Sequence, residues 1–404
     1  MRRRRVPCLI DMAARAAVLR RLRSLSVGRL TVVDYAGRHE FGDPRETELH
    51  ATVTIHHGSA YRQVATGGSL DAAEGYLQHA WSCDDLVKLF RLLAINAPTL
   101  HRLNGRWARL ATPFRWLSDY WRRNTRAASR RYIAAHYDLS NEFFSLFLDE
   151  SMTYSSGIFA DGVSTLAEAS AAKYERICRK LRIGPRDHVL EIGTGWGGFA
   201  MYAAREYGCR VTTTTISRQQ YDFVRERIER AGLADHITLL LEDYRDLRGT
   251  YDKIVSIEMI EAVGHEYLAT YFDKCCELLR PDGLFALQAI TMPERDYRRY
   301  RATTDFIRKY IFPGGCLPSI AAISNSAGAT TGLQFTELRD FSTDYARTLA
   351  MWRDNFFANL SAVRQLGFDE RFIRIWEYYL CYCEAGFREA KIGLAQILFR
   401  KAHA

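Results

Sequence analysis

The chain lacks several things, and each absence narrows the reading. It has no long apolar run fit to cross a bilayer. Its longest uncharged stretch, Tyr310 to Thr336, is broken by Pro313, Gly314, Gly315, Pro318, Ser319, Ser324 and Asn325, so it reads as a loop or broken helix. The N-terminal Met1-Arg-Arg-Arg-Arg5 is not followed by a signal-peptide apolar region, because Asp11 and Arg15 interrupt it. The nine cysteines show no framework spacing: Cys275 and Cys276 are adjacent, and Cys381 and Cys383 are one residue apart. Neither pair is a CxxC, so reduced, cytosolic thiols are expected, with no metal site. No nucleic-acid-binding module is recognisable either.

What is present is length, apolar content and an uneven charge. The 404 residues are 48% hydrophobic and 12% aromatic, enough for two domains with large cores. The net charge of +9 is concentrated. Residues 1–30 carry nine arginines and one aspartate, residues 101–135 the same, and the remainder is net −7. Two basic strips on an acidic body attract phosphates of nucleic acid or of a membrane surface, or are solvated helix faces.

Residues 1–100 read as a small α+β module. Leu30–Asp34 and Ala51–Ile55 have strand-like β-branched content, with Gly37, Gly42, Asp43 and Pro44 punctuating the gap. Gly67-Gly68 reads as a turn, Leu70–Trp81 as a helix, and Asp84 as the cap of a helix to about Ala94. His56-His57 read as surface residues, since neighbours on a strand face opposite ways. In residues 101–131, Leu103, Trp107, Leu110, Phe114, Leu117 and Trp121 form one apolar helical stripe among arginines. Such a linker helix suits a membrane surface or a domain–domain packing.

Residues 132–404 change rhythm. Apolar runs at His188–Ile192, Arg210–Thr214, Ile237–Leu241, Lys253–Ile257 and Gly283–Ile290 alternate with helices such as Gly198–Tyr207 and Arg218–Ala231. This predicts an α/β fold with a doubly wound parallel sheet. The first strand runs into Val189-Leu-Glu-Ile-Gly-Thr-Gly-Trp-Gly-Gly198. Glycines there let the backbone approach a ligand and adopt positive φ. The second strand ends at Thr215-Ile-Ser-Arg-Gln-Gln220, without the acidic residue of a dinucleotide site, and the third at Glu242-Asp243-Tyr244-Arg245. Ligands of such sheets bind at these carboxyl ends. The E-x-G-x-G-x-G set beginning at Glu191 resembles the first motif of class I S-adenosylmethionine (SAM) methyltransferases.

Further segments sharpen the resemblance. His136-Tyr-Asp-Leu-Ser-Asn-Glu-Phe-Phe144, Met152-Thr-Tyr-Ser-Ser156, Glu258-Met-Ile-Glu-Ala-Val-Gly264, Asp305-Phe-Ile-Arg-Lys-Tyr-Ile-Phe-Pro-Gly-Gly315 and Trp376-Glu-Tyr-Tyr-Leu-Cys-Tyr-Cys383 resemble the cyclopropane-fatty-acyl-phospholipid synthase family. The likeness covers roughly residues 130–400 and, more loosely, an N-terminal lipid-binding domain. It implies transfer of the SAM methyl to a cis double bond of a phospholipid acyl chain, then ring closure; the alternative product is a methylene- or methyl-branched chain. It implies a bound bicarbonate as base, held at Glu261, Tyr345, His136 and Cys383, with Glu261 an anchor rather than the base. Two departures stand out: Ser156 replaces a cysteine, and Gln288 replaces a histidine, as plant-like members also have it. Gln cannot become cationic. The residues it assigns to SAM are Tyr154, Ser155, Glu191, Gly193, Gly195, Trp196, Thr215, Ser217, Gln220, Tyr244 and Arg245. An insertion around 292–336 would cover the acyl chain. The implied setting is cytoplasmic and peripheral on the inner face of a phospholipid membrane, without nucleic acid, and a homodimer is left open. The competing classes are a nucleic-acid-binding protein and a small-molecule methyltransferase.

Overall fold

In the computed structural model the described residues are 8–102, 140–330 and 332–402. His136 and most of the 101–131 stripe lie outside them. The chain divides into two compact units, one of residues 1–121, 303–311 and 364–391, the other of the remainder.

The first unit holds a four-stranded sheet: β1 (Arg29–Asp34), β2 (Gly37–Gly42), β3 (His50–Ile55) and β4 (Trp81–Cys83), in the order β2-β1-β3-β4. Four readings from the sequence need correction here. The glycine-punctuated gap contains β2, since Gly37 and Gly42 bound an antiparallel hairpin strand on β1. The Gly67-Gly68 turn is a kink within a helix spanning Ser59–Leu77, where Gly68 takes φ 68°. Trp81 lies beyond that helix, on β4. Asp85, not Asp84, caps the next helix, Leu86–Ile95, accepting from the Lys88 amide at 2.9 Å. The helix Glu370–Arg388 belongs to this unit. Its Tyr378 packs edge-on against Phe90 and its Arg374 guanidinium lies 3.7 Å from the Tyr76 ring centre.

The second unit is built on seven strands: β5 (His188–Ile192), β6 (Arg210–Thr214), β7 (Ile237–Leu240), β8 (Tyr251–Ile257), β9 (Leu279–Thr291), β10 (Leu333–Asp340) and β11 (Gly393–Lys401). Their order is β10-β11-β9-β8-β5-β6-β7. The five strands legible in the sequence are parallel, while β10 and β11 add antiparallel pairings at one end. The sheet is therefore mixed rather than wholly parallel. Both faces are buried, which is why the strands read as continuous apolar runs. Leu190, Ile192, Ile254, Phe285 and Leu287 pack with helix Leu268–Leu278 on one side. Val189, Val255 and Ala286 pack on the other with helices Leu166–Leu181, Gly198–Tyr207 and Arg218–Arg230. This two-residue alternation aims the residues just past the ends of β5, β6 and β8 at one edge.

Candidate active site

The glycine loop leaves β5 and enters helix Gly198–Tyr207. Gly193, Gly195 and Gly197 all have positive φ. The amides of Gly193 and Thr194 bond back to the Thr214 carbonyl at 3.1 and 2.9 Å, tying the loop to β6. At Gly195 (φ +53°) a Cβ would meet nothing within 4 Å, so this turn borders open space that a ligand could fill. The loop thus fits the close backbone approach that a nucleoside-bearing ligand such as SAM requires.

The other expected SAM residues divide by what their side chains touch. Tyr154 sits among rings, 5.2 Å from both Phe144 and Trp352 and 6.4 Å from Trp196. The Trp196 indole donates to Asn141 Oδ1 at 2.8 Å. At the end of β6, Thr215 donates to Gln220 Oε1 at 2.8 Å, and Ser217 caps helix Arg218–Arg230. Arg245 forks onto Asp243 at 2.8 and 2.6 Å, and Tyr244 packs on Tyr271. Glu191 is deeply buried and accepts from Thr213 at 2.6 Å, and burial raises its carboxyl to about 8.

The expected catalytic residues converge on a group the sequence reading had not singled out. Glu258 follows β8 directly, with φ +50° and its amide bonded to the Gln288 carbonyl at 2.8 Å. Its Oε1 accepts from the Ser156 amide at 2.9 Å and from Gln288 Nε2 at 2.7 Å. Its Oε2 accepts from the Tyr345 hydroxyl at 2.7 Å. Burial raises the Glu258 carboxyl, and Lys173 and these three donors pull it back. Ser156, Gln288 and Tyr345 therefore meet on Glu258 and not on Glu261.

Glu261 lies one turn further on. Its Oε1 accepts from the Ile290 amide, while its Oε2 is buried without a partner. Burial first, then the nearby Glu258 charge, raise its carboxyl to about 8, so it is a neutral acid at pH 7. Bicarbonate does not fit this arrangement. The donors that would hold it already hold a carboxylate of the chain itself. Cys383 lies on helix Glu370–Arg388 in the other unit, and burial pushes its thiol well up.

Two supporting groups also went unread. Lys173 is fully buried, and its ammonium donates to Ser155 Oγ at 2.6 Å. Burial lowers its pKa to about 8. A lysine on the stripe Ala169, Lys173, Ile177 was the available signal. Gln396 donates to Gln288 Oε1 at 2.8 Å and accepts from Arg176 Nε at 3.0 Å. That chain fixes which end of the Gln288 amide faces Glu258.

Residues 124–397 match the family model described as mycolic acid cyclopropane synthetase. The chain belongs to this family. Relatives of known name and structure align along most of the chain. The chain is 40% identical over 363 residues to the tuberculostearic acid methyltransferase UfaA1 of Mycobacterium tuberculosis, covering 88% of this chain and 83% of that one. It is 35% identical over 362 residues to the cyclopropane-fatty-acyl-phospholipid synthase of Escherichia coli, covering 87% and 88%. The crystal structure of the mycolic acid cyclopropane synthase CmaA1 with SAH and CTAB matches with a TM-score of 0.63 and 32% identity, over 67% of this chain and 98% of that one. This cyclopropane-synthase-family protein is accordingly a SAM-dependent enzyme of the class I methyltransferase fold.

Proposed function

We propose that the enzyme adds one carbon from SAM to a cis double bond in a phospholipid acyl chain and closes a cyclopropane ring. The observation that carries this is the buried carboxylate held by Ser156, Gln288 and Tyr345 beside the glycine loop. Bound SAM supplies an electrophilic methyl on a sulfonium. An unactivated alkene is a weak nucleophile, so the chain's task is positioning and dryness. The rings of Phe144, Tyr154, Trp196 and Trp352 offer a water-excluding wall whose π faces tolerate positive charge. The assigned residues at the ends of β5, β6 and β7 hold SAM in this reading, with Gly193 and Gly195 giving close approach. Glu261 is a neutral neighbour of the reacting centre. The segment around 292–336 covers the acyl chain in this reading. Residues 1–100 and the basic 101–131 segment dock on phospholipid headgroups at the inner membrane face. No helix among the described residues is long and apolar enough to cross a membrane, so docking is peripheral in this reading.

A methylene- or methyl-branched product is the second reading, favoured by the 40% identity to a tuberculostearic acid methyltransferase. The cyclopropane and the methylene branch follow one carbocation. Ring closure takes a methyl proton directly, whereas a 1,2-hydride shift first moves the charge to the methyl-bearing carbon before a methyl proton leaves. A saturated methyl branch then needs a separate two-electron reduction of that methylene. The test is incubation with SAM and monounsaturated phospholipid vesicles, followed by fatty-acid mass analysis. A gain of about 14 Da, one CH₂, is expected from attack by the alkene on the methyl. A product that survives mild hydrogenation is the cyclopropane, and one that takes up hydrogen is the methylene branch. No mass gain on any monounsaturated phospholipid refutes the reading.

A further inference from the structure

We propose that the Glu258 carboxylate is the proton acceptor of the reaction, built into the chain in the position of an external anion. The inference rests on the one-carbon transfer proposed above. A carboxylate and a bicarbonate present the same planar O–C–O edge to donors, so one donor set serves one of them. Here the Ser156 amide, the Gln288 amide and the Tyr345 hydroxyl are all engaged by Glu258.

Four further observations show a site built around this side chain. Glu258 takes a left-handed backbone conformation, φ +50°, which a non-glycine residue adopts only under strain. Its amide is pinned to the Gln288 carbonyl, so the strain is held by the sheet edge. The Arg176–Gln396–Gln288 chain leaves Gln288 only its donor end for Glu258. Oε2 accepts one hydrogen bond, from Tyr345, and keeps a lone pair for a proton.

The step balances without an outside base. The alkene π pair forms the new bond to the methyl carbon, and the C–S pair stays on sulfur. The second alkene carbon is left cationic. A C–H bond of the delivered methyl then breaks. Its pair closes the ring onto the cation, and the proton passes to Glu258 Oε2. Burial that raises the Glu258 carboxyl brings its basicity toward neutral pH, which suits an acceptor.

The test compares wild type, Glu258→Gln and Glu258→Gly on monounsaturated phospholipid vesicles, with and without bicarbonate. Wild-type turnover should be unchanged when carbon dioxide and bicarbonate are stripped from the buffer. Glu258→Gln keeps the shape and should lose on the order of 100-fold in kcat, with SAH affinity by calorimetry retained. Glu258→Gly relieves the positive φ and frees the three donors. It should be inactive alone, recover turnover with added formate or bicarbonate, and broaden the NMR line of labelled bicarbonate where wild type does not. A wild type that needs bicarbonate, or a Gln variant at full kcat, overturns the proposal. A wild type giving no mass gain instead overturns the parent reading.

Discussion

Gly195 and Gly232 form a matched pair that isolates the ligand cradle from the cost of backbone conformation. Both hold positive φ, +53° and +66°, and at both a Cβ would meet nothing within 4 Å. Gly195 lies in the loop between β5 and helix Gly198–Tyr207, and Gly232 in the turn after helix Arg218–Arg230. Alanine at either position must adopt the left-handed region, at roughly 1–2 kcal/mol. Any gain from stiffening the unfolded chain is common to both and cancels. At about 2–4 °C per kcal/mol for a domain of this size, each variant should melt roughly 2–8 °C below wild type. Their binding should part company. The Gly195→Ala methyl occupies the open space beside the loop and should weaken SAH by more than tenfold, about 1.4 kcal/mol. Gly232→Ala should bind SAH as wild type does. Differential scanning fluorimetry and isothermal titration calorimetry measure the two quantities on the same samples. Equal SAH affinity in the two variants, at equal loss of melting temperature, would refute the cradle.

Other perturbations follow from the same geometry. Gln288→Leu removes a donor to Glu258 and strands Gln396 Nε2, so it should cost roughly 1–3 kcal/mol of stability and at least tenfold in kcat, read by denaturation and product mass. Glu191, raised to about 8, contributes stability that is complete below its unfolded pKa near 4.5 and is lost as pH rises through 8. Glu191→Gln lacks that loss, so its urea midpoint should gain on wild type between pH 5 and 8, and a constant offset across that window counts against it. Replacing Arg122, Arg123, Arg130 and Arg131 with Gln should weaken binding to anionic vesicles by up to about 1 kcal/mol per charge and leave SAH affinity alone. Unchanged vesicle sedimentation would return that strip to an ordinary solvated face.

Most of the parallel sheet was legible because both of its faces are buried. Val189, Leu190, Ile254 and Val255 leave unbroken apolar runs, and glycines mark where β5 turns. The antiparallel strands β10 and β11 were not legible. β10 is mostly exposed and carries Gln334, Thr336, Glu337, Arg339 and Asp340, so it shows no run, and only its pairing with β11 makes it a strand. In the small unit, β2 is likewise half exposed and hides between two glycines.

The sequence by itself determined the glycine loop, the existence of the five parallel strands, and the presence of Ser156, Gln288 and Tyr345 in motifs of one family. Those features are local: a turn needs glycine, a buried strand needs apolar runs, and a motif is contiguous. Which acid these three residues serve was a tertiary matter. Glu258 and Glu261 are three residues apart in the same motif, and nothing local separates them. The pleat of β8 and the left-handed turn at its end carry Glu258 to donors on three other segments, while Glu261 reaches the Ile290 amide on β9. Convergence of groups 30 to 102 residues apart is set by the stacking of the whole sheet edge, which no single stretch of sequence encodes.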